Sequence, residues 1–162
     1  MKRTNLLLAG TLATAAAASA TAIAPLASAH VAPSAPVAQA SRAVKISLRQ
    51  TSVGKVLVEN SGFTVFRFTR DASNKNACMS IGKCSQTWPS LTSTVTPTAG
   101  PGVKASLLST IRLSNGSKQV TYAGHPLYRY SLAGEAAETS YVGANEFGGT
   151  WDGVSVSGGL VK

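Results

Sequence analysis

A short pattern occurs twice in this chain of 162 residues. Residues 62–69 read G-F-T-V-F-R-F-T and residues 124–131 read G-H-P-L-Y-R-Y-S. Gly62 aligns with Gly124, Val65 with Leu127, Phe66 with Tyr128, Arg67 with Arg129, Phe68 with Tyr130 and Thr69 with Ser131. A Trp follows each copy at nearly the same distance, Trp88 and Trp151. Matched glycines, aromatics and a late Trp point to a duplicated β unit that packs against its own copy.

The segments around the repeat carry strand and turn patterns. Val44–Arg49 alternates, and Gly54–Glu59 follows as a second strand. Asn60-Ser61-Gly62 is turn chemistry, so Phe63–Arg70 is expected to pair back on Gly54–Glu59. Along it Phe66 and Phe68 share one face with Thr64, and Val65 and Arg67 share the other. Both Phe rings are assigned to the core. Residues 72–87 are expected to hold a short helix or tight loop ending at Trp88, and Thr92–Val103 an exposed loop between the halves. In the second half Leu107–Leu113 and Lys118–Tyr122 flank Asn115-Gly116, a hairpin signal in which both turn residues take positive φ. Pro126–Leu132 and Thr150–Val156 are further strands. Helical periodicity is weak throughout, so the fold class is mainly β, two tandem hairpin or meander repeats packed as one small domain, with at most a short helix near the cysteines.

The first residues have the form of an export signal. Lys2 and Arg3 precede an apolar stretch from Leu6 to Ala24, and Ala27-Ser28-Ala29 offers small residues for cleavage after Ala29. Residues 1–29 are read as a signal peptide, 30–44 as a Pro/Ala-rich linker, and 45–162 as the β domain with repeat halves of about 45–91 and 104–159. No second apolar run long enough to span a bilayer follows, so the expected location is extracellular or wall-associated. Without Lys2 and Arg3, thirteen basic residues face six acidic ones, a net +7. That balance favours anionic partners such as cell-wall polymer or glycan. The cations are scattered and no nucleic-acid motif is present, which argues against specific nucleic-acid binding.

Cys78 and Cys84 are the two cysteines. In an exported protein this spacing reads as a disulfide, stabilising by about 2 kcal/mol on the chain-entropy model. A redox dithiol lacks its usual C-x-x-C spacing, and a copper site completed by Met79 and His125 is not required by any spacing. The G-x-S-x-G, H-E-x-x-H and Gly-rich phosphate-loop motifs are absent, and a single His inside the domain does not make a triad. Glu59, Asp71, Glu135, Glu138, Glu146 and Asp152 are the carboxylates, and no pair of them has a glycosidase signature. No cofactor is expected, and the enzyme reading is the weaker one. Phe66, Phe68, Trp88, Tyr128, Tyr130 and Trp151 are assigned to the core rather than to a sugar-stacking platform, and Tyr122 and Tyr141 to exposed contacts. Arg67 and Arg129 hold equivalent repeat positions and are expected to form an anion-binding pair.

The runs V-L-V-E-N-S-G-F-T-V-F-R-F-T-R-D, C-S-Q-T-W-P-S-L, Q-V-T-Y-A-G-H-P-L-Y-R-Y and F-G-G-T-W-D-G-V-S-V-S-G-G together resemble the bacterial secreted-repeat family. Its members are described as predicted lipoproteins with a Y-x-[FWY]-x-x-D motif. The resemblance covers about Val53 to Gly159. It places the motif on Phe66, Phe68 and Asp71 in the first copy, with Phe for the leading Tyr. In the second it falls on Tyr128 and Tyr130, with Ala133 at the acidic position. The lipid-anchor Cys of that family is missing here, which implies a freely secreted or wall-associated member. The resemblance implies location and architecture, and no reaction. The function expected is that of a non-catalytic envelope protein binding an anionic or glycan surface component, with redox or metal handling at Cys78 and Cys84 as the alternative.

Overall fold

The computed structural model describes residues 43–162. The expected signal peptide and most of the expected linker lie outside the described residues. The core begins at Val44, which is already buried.

The described residues form a mainly β fold of ten strands in three sheets. β1 (Lys45–Thr51) and β2 (Gly54–Val58) make a hairpin in the register Thr51 to Gly54, closed by the Ser52-Val53 turn. Val56, Leu57 and Val58 are buried on both faces, so the run is continuously apolar rather than alternating. β4 (Thr98–Ala99) pairs parallel with β1. The segment 92–103 is therefore not wholly an exposed loop. The carbonyls of Val44 and Ile46 need partners, and they accept from Thr98 N at 2.8 Å and Gly100 N at 2.7 Å.

β5 (Leu108–Arg112) and β6 (Lys118–Tyr122) form the expected second hairpin, and β7 (His125–Pro126) continues that sheet. Its turn differs from expectation. Gly116 takes φ +84° while Asn115 is not among the positive-φ residues, and Gly116 N donates to Leu113 O at 2.9 Å. This is a type I turn followed by a left-handed glycine, in which Asn115 Oδ1 accepts from Ser117 N at 3.1 Å.

β3 is only Phe66–Phe68, and its partner is β9 (Gly149–Val154), not β2. The expected pairing with β2 survives only at its start, where Val65 N donates to Leu57 O at 3.1 Å. β8 (Ala144–Glu146) and β10 (Leu160–Val161) complete the β9 sheet. Among the described residues the one α-helical turn, α1 (Cys84–Thr87), begins at the second cysteine.

The two copies of the repeat interlock. Phe66 and Tyr128 exchange hydrogen bonds, Phe66 N to Tyr128 O at 3.0 Å and Tyr128 N to Phe66 O at 3.1 Å. The first aromatic strand then pairs with the second Trp segment, Phe68 opposite Trp151. The second aromatic strand pairs with the first Trp segment: Arg129 N donates to Pro89 O at 3.1 Å and Ser131 N to Thr87 O at 2.9 Å. The aromatic strand of each repeat thus pairs with the Trp segment of the other.

Equivalent side chains meet in the core. Val65 with Leu127, and Leu91 with Val154, belong to one apolar cluster. A second cluster gathers Phe66, Phe68, Trp88, Tyr128 and Trp151 around the cysteines. Trp88 and Trp151 stack face to face at 4.1 Å, and Phe68 stacks on the other face of Trp151 at 4.2 Å. These aromatics have almost no accessible surface, so they are core and not a platform. Tyr122, expected on the surface, is fully buried as well. Its hydroxyl donates to Val156 O at 2.8 Å, which satisfies the polar end of an otherwise apolar ring.

Candidate functional site

Cys78 and Cys84 are joined in a disulfide, and neither has accessible surface. The bond sits among Trp88, Phe66 and Phe68, where it pins the irregular segment before Trp88. A thiolate has no approach to it in this position. Among the described residues, no group of three or more His, Cys, Asp or Glu is placed to hold a metal ion.

The motif residues do structural work across the repeat boundary. Asp71 Oδ2 accepts from the Tyr128 hydroxyl at 2.7 Å, and Oδ1 accepts from Ala77 N at 2.7 Å. The Asp of the first copy therefore holds the Tyr of the second. At the symmetry-related place the chain has Phe66, without a hydroxyl, and Ala133, without a carboxylate. The backbone is the same at both: Asp71 N donates to Phe68 O, and Ala133 N to Tyr130 O. Both members of the second Tyr–Asp pair are missing together, so neither partner is left unsatisfied.

Burial pushes the Asp71 carboxyl up to about 6, against the lowering effects of the Ala77 N–H, the Tyr128 hydroxyl and Arg67. A carboxyl raised above its unfolded value favours the fold when protonated. Its stabilising contribution is complete below about pH 4 and is lost as pH rises through about 6. Asp152 moves in the same direction through burial, whereas burial and Arg67 lower His125, which costs stability as pH falls below its ordinary range. Asp71→Asn keeps an acceptor for Tyr128 and removes the carboxyl titration. The wild-type protein is expected to lose more stability than this variant between pH 4 and pH 7, measured as the shift of the urea midpoint. Equal shifts would show that Asp71 does not titrate in that window.

The repeat-equivalent arginines have different surroundings. Arg67 is half-buried and donates to the Gly158 carbonyl, with its cross-strand neighbour Asp152 beside it. Desolvation lowers its pKa, opposed by Asp71 and Asp152. Asp152 has no accessible surface, and among the described residues neither of its carboxylate oxygens has a hydrogen-bond partner. Arg129 is exposed, and its cross-strand neighbour is Pro89 instead of an acid.

Arg129 lies where two adjoining cavities meet. One, of about 400 Å³, is lined by Glu59, Asn60, Ser61, Ser90, Leu91 and Thr92 as well as Ala43, Val44 and Arg129. The other, of about 320 Å³, is lined by Phe63, Pro89, Arg129, Tyr130, Ser131 and Ala133. The first presents polar groups and the second is walled by rings. Glu59 is nearly buried and accepts from Ser61 N at 3.2 Å. Sequence reasoning singled out Arg129 but passed over Glu59, whose one signal is an acid directly after the apolar run Val56-Leu57-Val58. Tyr141, expected as an exposed contact, is half-buried and packs on Tyr130 at 3.7 Å. Arg129 and Glu59 are the ionisable groups of the first cavity, a cation and an anion suited to binding rather than to paired-carboxylate chemistry.

No helix among the described residues is long and apolar enough to cross a membrane. No curated protein and no solved structure matches the chain. Residues 109–154 match a family model described as a secreted repeat of unknown function, which supports an extracellular location.

Proposed function

We propose that this is a non-catalytic protein of the cell envelope, exported by its leader, that binds an anionic or glycan component of the cell surface at the Arg129 cleft. The observation that carries this reading is the exposure of Arg129 between two adjoining cavities while its repeat-equivalent Arg67 is engaged within the chain. A guanidinium in a concave polar site offers a fixed fork of donors to carboxylate or phosphate oxygens. The ring wall of Phe63, Pro89 and Tyr130 supplies an apolar face for the rest of the ligand. A net basic charge raises the local concentration of anionic polymer and speeds encounter.

Co-sedimentation with an anionic cell-wall polymer tests the reading. Binding is expected to saturate and to weaken as salt is raised, because attraction at an exposed cation is screened. Arg129→Glu is expected to weaken it by about tenfold or more, since attraction becomes repulsion. Arg67→Lys leaves the cleft unaltered and is expected to bind normally. Binding that ignores the Arg129 reversal would exclude the cleft as the site.

A further inference from the structure

The Arg129 cleft has a filled counterpart in the same molecule. Across the Phe66–Tyr128 pair, Ser131 N to Thr87 O at 2.9 Å repeats Thr69 N to Thr150 O at 3.0 Å. Leu127 N to Val120 O at 2.9 Å repeats Val65 N to Leu57 O at 3.1 Å. These matched bonds place Arg67 opposite Arg129, Tyr122 opposite Glu59, Val154 opposite Leu91, and Ser155 opposite Thr92.

At the Arg67 end, the space is occupied by the chain itself. Residues 155–159, Ser-Val-Ser-Gly-Gly, form a tight turn with Ser155 N donating to Gly159 O and Gly158 N to Ser155 O, both at 2.9 Å. The Arg67 guanidinium donates to the Gly158 carbonyl, and the Tyr122 hydroxyl donates to Val156 O at 2.8 Å. Gly158 takes φ +87°, and a Cβ there would lie 2.3 Å from the Ala123 Cβ, so the turn is seated closely. At the Arg129 end, the chain after Thr92 leaves toward β6, with Ser93 N donating to Lys118 O at 3.0 Å. What remains there is the cavity of about 400 Å³.

We propose that the Arg129 cleft is the open copy of this peptide-holding site and takes a short peptide turn of small residues. A backbone carbonyl or terminal carboxylate of the peptide meets the Arg129 guanidinium, as the Gly158 carbonyl meets Arg67. The second contact is reversed. Tyr122 donates a hydroxyl to a peptide carbonyl, whereas Glu59 at the matching place accepts, so it meets a peptide N–H. This rests on Arg129 as the ligand-binding cation, and it narrows the surface component to one that carries peptide.

The test titrates Ser-Val-Ser-Gly-Gly, acetylated at its N-terminus and with a free carboxylate, into the secreted protein. A uronic-acid oligosaccharide and the anionic wall polymer are titrated in parallel. Saturable peptide binding is expected, weakened about tenfold by Arg129→Ala and also reduced by Glu59→Gln. Arg129 is exposed, so its variant is expected to keep the wild-type circular dichroism spectrum. Peptide binding unaffected by Arg129→Ala would overturn the inference. If the oligosaccharide or polymer binds through Arg129 and the peptide does not, the peptide assignment falls while the broader function stands. If none of the three binds, both fall.

Discussion

Neither half of the domain is expected to fold alone. Cutting the chain between Gly102 and Val103 separates residues 43–102 from 103–162. Each piece then holds an aromatic strand without its partner, because Phe66–Phe68 pairs with β9 and Tyr128–Ser131 pairs with residues 87–90. The unpaired strands leave backbone groups unsatisfied and both apolar clusters open to water. Pieces of about 60 residues are also near the size at which a single core stops sufficing. Each fragment should give the collapsed amide dispersion of an unfolded chain. Mixing the two should restore the dispersed spectrum of the intact domain. A folded spectrum from either fragment by itself would mean that the exchange of strands is not what holds the repeats.

Trp151→Ala should be the most damaging single substitution. Trp151 is fully buried, stacked on Phe68 at 4.2 Å and Trp88 at 4.1 Å, with Tyr128 edge-on at 5.1 Å. Truncating a buried Trp costs about 3–5 kcal/mol through lost transfer energy and the cavity left behind. Domains of this kind have only about 5–15 kcal/mol in total. The loss also falls on the contact between the copies, since Trp88 and Phe68 come from the first repeat and Trp151 from the second. Guanidinium denaturation followed by circular dichroism should show the midpoint shifted far toward lower denaturant, by the equivalent of about 3–5 kcal/mol. A loss under about 1 kcal/mol would show that the buried stack is not a main support of the domain.

Much of the architecture is legible in the residues, for local physical reasons. The disulfide follows from two cysteines six residues apart. The second hairpin follows from Asn115-Gly116 between apolar runs, because turn chemistry acts over a few residues. The burial of Phe66 and Phe68 follows from strand alternation and ring size. The failures share one cause. Local pattern pairs β3 with β2 and leaves Tyr122 among the exposed contacts, whereas β3 pairs with β9 and Tyr122 is fully buried. Both depend on contacts far along the chain, where an open ladder and an apolar neighbour outweigh local pattern.

The candidate site divides along the same line. Its cation is visible as a matched pair of arginines, but pattern treats Arg67 and Arg129 as equals. Only the tertiary structure separates them, by seating Gly158 on one and leaving the other in a cleft with Glu59. The same holds for the motif. Sequence shows a Phe and an Ala where a Tyr and an Asp are expected. The fold shows that these two losses share one symmetry-related place, while Asp71 and Tyr128 keep the other.

Duplication, the disulfide and the interior aromatics can be read from the residues alone, because periodicity, turn residues and cysteine spacing act locally. The exchange of strands between the copies, and the seating of Arg67 on Gly158 while Arg129 stays exposed, come from the folded chain. Strand pairing and burial are set by residues distant in the chain, and a repeat that looks symmetric in sequence becomes asymmetric where the turn at residues 155–159 seats against Arg67 and not Arg129.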